Sequence, residues 1–170
     1  MEDDNTILPG SDFDRLFLFR DLNKDQRALL EPLFSPYQAE MGDLIFQQGG
    51  QASYLYLVVD GEVDICYKPE DGPPLIIAHV HPGGVVGWSA ALGSPCYTSS
   101  ALCATPCRLL RISGEDLRML YEHHPQTGKL ILERLSDLIA ERLRNTHAHV
   151  FALLEQGLKL SVSANEPNIF

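Results

Sequence analysis

Two histidines separated by one residue, His79 and His81, have a spacing that could bind a metal ion. They lie on a predicted strand, where alternate side chains point to the same face, so both imidazole rings could contact one ion. A metal site of this kind also needs ligands downstream, and Pro82-Gly83-Gly84 follows instead. We therefore expect two solvent-facing histidines at the end of a strand and no metal site.

The four cysteines lack the paired Cys-x-x-Cys spacing of a zinc site and are too few for an iron–sulfur cluster. They are Cys66, Cys96, Cys103 and Cys107. We expect reduced thiols, most of them packed in the interior, with Cys103 and Cys107 on one face of the same strand. Because no spacing typical of a nucleophilic catalyst stands out, we also expect no enzymatic activity.

The composition limits the size of the fold and the kind of partner. The chain has 170 residues, 45% of them hydrophobic, and 13 Lys+Arg against 23 Asp+Glu leave a formal net charge of −10. This length supports one domain with its own core. The acidic balance would repel a phosphate backbone, so no direct nucleic-acid contact is expected. The acidic N-terminus and the lack of a run of roughly 20 apolar residues predict a cytoplasmic protein without a membrane span.

Three compositional zones follow one another along the chain. A helical segment at 11–36 precedes short, Val/Ile/Tyr-rich runs over about 37–112, and helical patterns return over about 114–155. Residues 1–10 are typical of a flexible N-terminus and 156–170 of a tail. Many short strands with turn residues between them predict an α+β, mainly β fold. We expect an antiparallel β-roll, or jelly roll, with N-terminal helices and a long C-terminal helix.

The clearest strand signal is Asp60-Gly61 between two alternating apolar runs, which predicts a two-residue hairpin. The expected cross-strand pairs are Val58 with Val63, Tyr56 with Ile65, and Tyr54 with Tyr67. Further strands are expected at 44–47, 74–80 and 99–112.

The C-terminal helix is expected to follow Pro125 and to end at Gly157. Leu135, Ile139 and Leu143 share one face of it and could form the seam of a two-helix dimer. The same stripe could instead fold back on the roll of its own chain.

Three motifs resemble the cyclic-nucleotide-binding domains of the catabolite activator protein and of cyclic-nucleotide-dependent kinases. They are Gly42-Asp43-x-Ile45-Phe46-x-Gln48-Gly49, Leu55-Tyr56-Leu57-Val58-x-x-Gly61-x-Val63 and Pro82-Gly83-x-x-x-Gly87. The resemblance covers roughly residues 12–155. It implies a phosphate-binding cassette after Gly87, in which a Glu binds the ribose and an Arg binds the cyclic phosphate.

This chain departs from that cassette at both charged positions. Trp88 stands at the position of the family's Glu, Tyr97 stands near that of its Arg, and no Arg or Lys occurs between Lys68 and Arg108. Losing a charge-assisted bond to phosphate removes about one to two decades of affinity. We therefore expect cyclic-nucleotide affinity to be altered or lost. The predicted ligand-binding residues are Gly87, Trp88, Ser89, Ala90, Tyr97, Thr98 and Ser99. Their side chains suit a neutral, flat or aromatic ligand better than a cyclic nucleotide, although a cyclic nucleotide stays a possible ligand.

The resemblance also implies that Thr146 and His147 lie where the family's long helix touches the ligand and its dimer twin. Only thirteen residues follow Gly157, too few for a helix-turn-helix domain. We expect a non-enzymatic ligand sensor that forms a homodimer and signals to an unidentified protein partner. The alternatives are a scaffold subunit whose pocket Trp88 and Tyr97 close, and a cupin-like metalloenzyme. Haem bound by His147 or His149 also stays open.

Overall fold

The structure is a computed structural model and describes residues 10–163. The helices are α1 (Gly10–Arg15), α2 (Lys24–Leu30), α3 (Gly114–His123) and α4 (Pro125–Ser163), with single 3₁₀ turns at Phe17–Phe19 and Glu31–Leu33. The strands are β1 (Ser35–Ala39), β2 (Leu44–Phe46), β3 (Tyr54–Asp60), β4 (Val63–Tyr67), β5 (Leu75–Val80), β6 (Val85–Val86), β7 (Ser100–Cys103) and β8 (Cys107–Ser113). The segments 1–9 and 164–170, parts of the predicted N-terminus and tail, lie outside the described residues.

Two four-stranded antiparallel sheets form the body of the domain, in the orders β1-β8-β3-β6 and β2-β7-β4-β5. The predicted β-roll with N-terminal helices and a long C-terminal helix is confirmed. Within the described residues, no helix is both long enough and apolar enough to cross a membrane.

The predicted β3–β4 hairpin is wrong, because the two strands belong to different sheets. β3 pairs with β8 and β6, whereas β4 pairs with β5 and β7. The physical reason is that β3 is buried on both faces: Leu55 and Leu57 pack in one core cluster, Tyr56 and Val58 in the other. Such a strand takes a central place in its sheet. The incorrect pairs are Val58 with Val63, Tyr56 with Ile65, and Tyr54 with Tyr67.

Asp60-Gly61 is a corner between the sheets. Gly61 has φ of +90°, and a Cβ there would overlap the carbonyl oxygen of Pro106, so both the conformation and the close approach require glycine. The backbone N–H of Glu62 donates to Thr105 Oγ1 at 2.9 Å, and that of Ala104 donates to the Glu62 carbonyl at 2.9 Å. These bonds fix the corner against the β7–β8 turn.

The region predicted as one strand at 99–112 is two strands, β7 and β8, which lie in different sheets on either side of a turn that contains Pro106. Cys103 and Cys107 therefore do not share a face of one strand, although both are buried in the same core cluster. Burial, with Cys107 as a neighbour, raises the pKa of Cys103 to about 12, so its thiol is unreactive at neutral pH. Cys66 is partly buried and Cys96 is exposed.

The long helix α4 differs from its prediction in two respects. It continues through Gly157 to Ser163, because that glycine does not adopt the left-handed conformation that ends helices. Its first turns pack on the domain: Ile131 and Leu135 are buried at 0% and 2% exposure. Leu135 therefore belongs to the core of its own chain and not to a dimer seam, and Ile139 packs partly buried against the same cluster.

Candidate functional site

The cassette segment begins at Gly87, directly after β6. Gly87 has φ of +77°, and a Cβ there would lie 2.8 Å from the Tyr54 carbonyl oxygen. The chain then folds into hydrogen-bonded turns: the N–H of Leu92 donates to the Trp88 carbonyl at 3.0 Å, and that of Ser94 to the Ser89 carbonyl at 2.9 Å. These turns hold Trp88 and Ser89 at the mouth of the roll.

Tyr97 forms one wall of the site and also anchors the backbone. Its hydroxyl donates to the Tyr54 carbonyl at 2.7 Å and accepts from the Tyr54 N–H at 3.0 Å. Its ring stacks on Phe46 with the centroids 3.9 Å apart. Burial raises the pKa of Tyr97, so the hydroxyl is neutral at physiological pH. The hydroxyl therefore has two partners already, and Tyr97 can offer a ligand only the part of its ring that Phe46 leaves uncovered.

Replacing Tyr97 with phenylalanine should lower the free energy of unfolding by about 1–3 kcal/mol, because it keeps the ring but leaves the backbone of Tyr54 without its partner. Urea unfolding measures this loss. The control is Tyr121→Phe, at a 50% exposed position on α3, which should change the free energy by less than about 0.5 kcal/mol. Equal effects of the two variants would contradict the anchoring role.

Arg142 of α4 contacts the cassette at Trp88. Its guanidinium carbon lies 4.3 Å from the centroid of the Trp88 ring, a cation–π distance. Nη1 donates to the Val85 carbonyl at 2.9 Å, and Nε is buried without a hydrogen-bond partner among the described residues. Burial lowers the pKa of Arg142 to about 10, which leaves it charged at neutral pH.

A cavity of about 280 Å³ lies between the cassette and α4. Six of the predicted ligand residues line it, and α4 contributes two of the predicted helix residues together with Arg142. The lining is Phe46, Tyr67, Ile77, Gly87, Trp88, Ser89, Tyr97, Thr98, Ser99, Arg142, Leu143 and Thr146.

The other predicted residues lie elsewhere. Ala90 is buried, and its backbone packs closely against Gly114. A Cβ atom added at Gly114 would lie 2.5 Å from the carbonyl oxygen of Ala90. Leu135 and Ile139 pack on the core, and His147 is exposed. The side chain of His149, named as an alternative haem ligand, is outside the described part of the chain.

Sequence reasoning missed Arg142 as a site residue. One signal was present: Arg142 is four residues before Thr146, and residues at that spacing share a face of a helix. The aromatic and apolar wall formed by Phe46, Tyr67 and Ile77 gave no local signal, because it comes from three separate strands or strand ends.

A larger groove of about 790 Å³ runs between α4 and the β5–β6 region, and Arg142 lines both spaces. His79 and His81 lie along this groove. Their Nδ1 atoms lie 2.6 Å from Asp64 and 3.1 Å from Glu62 respectively, on β4 and next to it. Among the side chains that the structure describes, which leave out that of His149, no three His, Cys, Asp or Glu are grouped so that they could hold a metal ion.

Comparison with known families decides the identity of the domain. Residues 37–124, more than half of the chain, match the cyclic nucleotide-binding domain. The chain belongs to this family. The matched region includes α3, the cassette and both sheets except the first two residues of β1. Members of the family serve as ligand-sensing regulatory modules.

Individual relatives place the same domain in several kinds of protein. A Rhodopseudomonas palustris protein with a provisional potassium-channel name is 28% identical over 89% of this chain and 35% of its own. The CRP-like cAMP-activated global transcriptional regulator of Mycobacterium tuberculosis is 25% identical over 82% of this chain and 61% of its own. The chain thus spans about a third to three fifths of the length of these relatives.

Among solved structures, a cyclic nucleotide-binding domain from Methylobacillus flagellatus superposes with a TM-score of 0.73 and 22% identity. The superposition covers 84% of this chain and 80% of that one, which shows a common fold.

Proposed function

We propose that this chain is a non-enzymatic sensor whose cassette cavity binds a small ligand and whose α4 transmits the binding. The cavity carries this proposal, because Arg142, Leu143 and Thr146 of α4 form one side and the cassette residues form the other. A ligand in the cavity would contact the roll and the helix together. It can shift α4 to the extent that it binds two positions of the helix with different affinity.

The ligand preference should differ from that of a typical family member. The cassette itself contributes no cation. By its resemblance to the family, Trp88 stands at the position of the ligand-binding Glu and Tyr97 stands near that of the Arg. The hydroxyl of Tyr97 is bonded to the Tyr54 backbone and offers nothing to a phosphate. Affinity for cyclic AMP and cyclic GMP should accordingly be weakened by one or more decades.

The distal half of α4 suits a homodimer. Leu143, Val150, Phe151, Leu154 and Leu158 are exposed large apolar side chains at helical spacing. At 1.5 Å per residue, a helix of 39 residues is about 58 Å long, and its buried residues lie in the first turns. We propose that a second copy covers this stripe, so that a ligand that moves α4 alters the dimer and its contact with another protein.

A scaffold subunit with a closed pocket is the second candidate. The stack of Arg142 on Trp88 favours it, because the guanidinium already covers one face of the indole ring. A thermal-shift screen with cyclic AMP, cyclic GMP, cyclic dinucleotides and neutral metabolites separates the two. A ligand at a hundred times its dissociation constant adds about 2.7 kcal/mol, which raises the melting temperature by several degrees.

Two variants show where a ligand binds. Trp88→Ala should abolish the shift, whereas Leu92→Ala should keep it, because Leu92 is in the same turn but 71% exposed and away from the cavity. A shift that survives Trp88→Ala would contradict the assigned site. The absence of any shift across the panel would favour the scaffold.

A further inference from the structure

The charge of Arg142 has no counter-ion in the described structure. Two other partly buried arginines have carboxylate partners: Arg108 bonds to Asp12 and Asp60, and Arg27 bonds to Glu31 and Asp14. The partly buried Arg134 has none, but it donates to two backbone carbonyls, whereas Arg142 donates to one. No carboxylate of residues 10–163 is within salt-bridge distance of Arg142, and its one hydrogen bond is to a neutral carbonyl. Its Nε is buried and unpartnered. An isolated buried charge is costly, and an anion beside it would offset that cost.

The guanidinium also has unused binding capacity. It carries five N–H donors in a planar fork, which matches a carboxylate or phosphate, and a single bond to Val85 is described. Its face is against the indole of Trp88 and it lines the cavity. Because α4 supplies this cation, it does not depend on the cassette position that Tyr97 occupies.

The remaining walls select for a flat molecule. The aromatic residues Phe46, Trp88 and Tyr97 line the cavity, with the rings of Phe46 and Tyr97 stacked on each other. Ser89 and Thr98 also line it, and no hydrogen bond of either hydroxyl is described. A volume of about 280 Å³ is just below the usual range for drug-sized ligands. A small ring with hydrogen-bonding substituents fits these walls.

We propose that the cavity binds a small aromatic acid, with its ring among Phe46, Trp88 and Tyr97 and its anionic group on Arg142. The inference rests on the proposed sensor function and specifies the ligand class. It replaces the neutral ligand expected from the sequence, because the sequence places no cation in the cassette while the fold brings one from α4. The anion then binds the signalling helix directly.

Trp88 is the only tryptophan of the chain, so its fluorescence reports on this cavity. The full chain is titrated with benzoate, with benzamide as the neutral planar control and cyclohexanecarboxylate as the non-planar anion. Benzoate should bind at least about tenfold more tightly than benzamide, since a charge-assisted hydrogen bond is worth about that ratio or more. It should also bind more tightly than cyclohexanecarboxylate, which keeps the charge but lacks the flat aromatic ring. Cyclic AMP is the fourth compound titrated, because its cyclic phosphate is also an anion that Arg142 could bind.

Variants assign the preference to a residue. Arg142→Met should make benzoate and benzamide equal, and Arg142→Lys should retain part of the preference through its charge. Arg144→Met, at an exposed arginine two residues further along α4, should change nothing. If Arg142→Met does not fold, the dissociation constants of benzoate and benzamide are compared in the unmodified chain and in Arg142→Lys. Their ratio still tests whether the cavity prefers an anion.

The outcomes distinguish the proposed sensor function from the proposed class of ligand. Equal or tighter binding of benzamide overturns the anionic ligand and leaves a sensor of neutral compounds. Binding of cyclic AMP alone, lost in Arg142→Met, supports the role of Arg142 and identifies a phosphate as the anion. Binding of cyclic AMP that survives this variant overturns that role. A Trp88 signal that no compound changes contradicts both the ligand class and the open cavity.

Discussion

Replacing Leu135 with alanine should lower the free energy of unfolding by about 2–5 kcal/mol. Leu135 is 2% exposed and packs in the cluster that includes Phe13, Leu30 and Leu120, so truncation removes buried methyl groups and leaves a cavity. The loss is large because α4 holds α1, α2 and α3 together through this cluster. Urea unfolding at one fixed protein concentration measures it.

The matched control is Leu92→Ala, one leucine for another at a position outside the core cluster, the cavity lining and the exposed stripe of α4. Leu92 is 71% exposed, and its truncation should cost less than about 1 kcal/mol. If Leu135→Ala leaves stability unchanged but dissociates a dimer, then Leu135 forms the seam and the packing of α4 described above is incorrect.

The double variant Phe151→Asp/Leu154→Asp should raise the dimer dissociation constant by at least a hundredfold. The two side chains are 62% and 63% exposed in the single chain. If a second copy buries them, each contributes about 1.5–3 kcal/mol per subunit, and charged replacements lose that contribution and repel each other. Sedimentation velocity over a range of concentrations should shift from dimer to the 18.9 kDa monomer.

Ala152→Asp is the control for this prediction, since Ala152 is exposed and lies on the opposite side of the same turns. It should leave the dissociation constant within about threefold. An unmodified chain that stays monomeric at high concentration, or a dimer that the double variant does not weaken, would contradict the proposed interface.

Local signals in the sequence were enough to predict the β-roll and most of its strands. Turn glycines such as Gly61 and Gly87 mark positions where the backbone needs positive φ. Each such position can be predicted from the local sequence alone. Strand pairing was not readable in this way. The apolar run at β3 shows that the strand is buried, but whether Val58 faces Val63 or Leu109 depends on the arrangement of both sheets.

In the candidate site, too, the part that is contiguous in sequence could be predicted and the part that depends on tertiary packing could not. The cassette residues from Gly87 to Ser99 are contiguous in sequence, so a motif located them together. Arg142 is in a separate element, and its position beside Trp88 follows from how Ile131 and Leu135 dock α4 on the roll. The charge of the site could therefore not be inferred from the cassette alone, since the guanidinium that lines the cavity comes from elsewhere in the chain.

Amide hydrogen exchange along α4 tests the central claim most directly. The exchange of peptides within Pro125–Ser163 is compared with and without benzoate at saturation of the Trp88 signal, and with the panel compound that raises the melting temperature most. The account predicts altered protection around Arg142 to Thr146 that extends into the distal half of the helix. Unchanged exchange throughout α4 while Trp88 reports a bound ligand would contradict the proposal that the cavity signals through this helix.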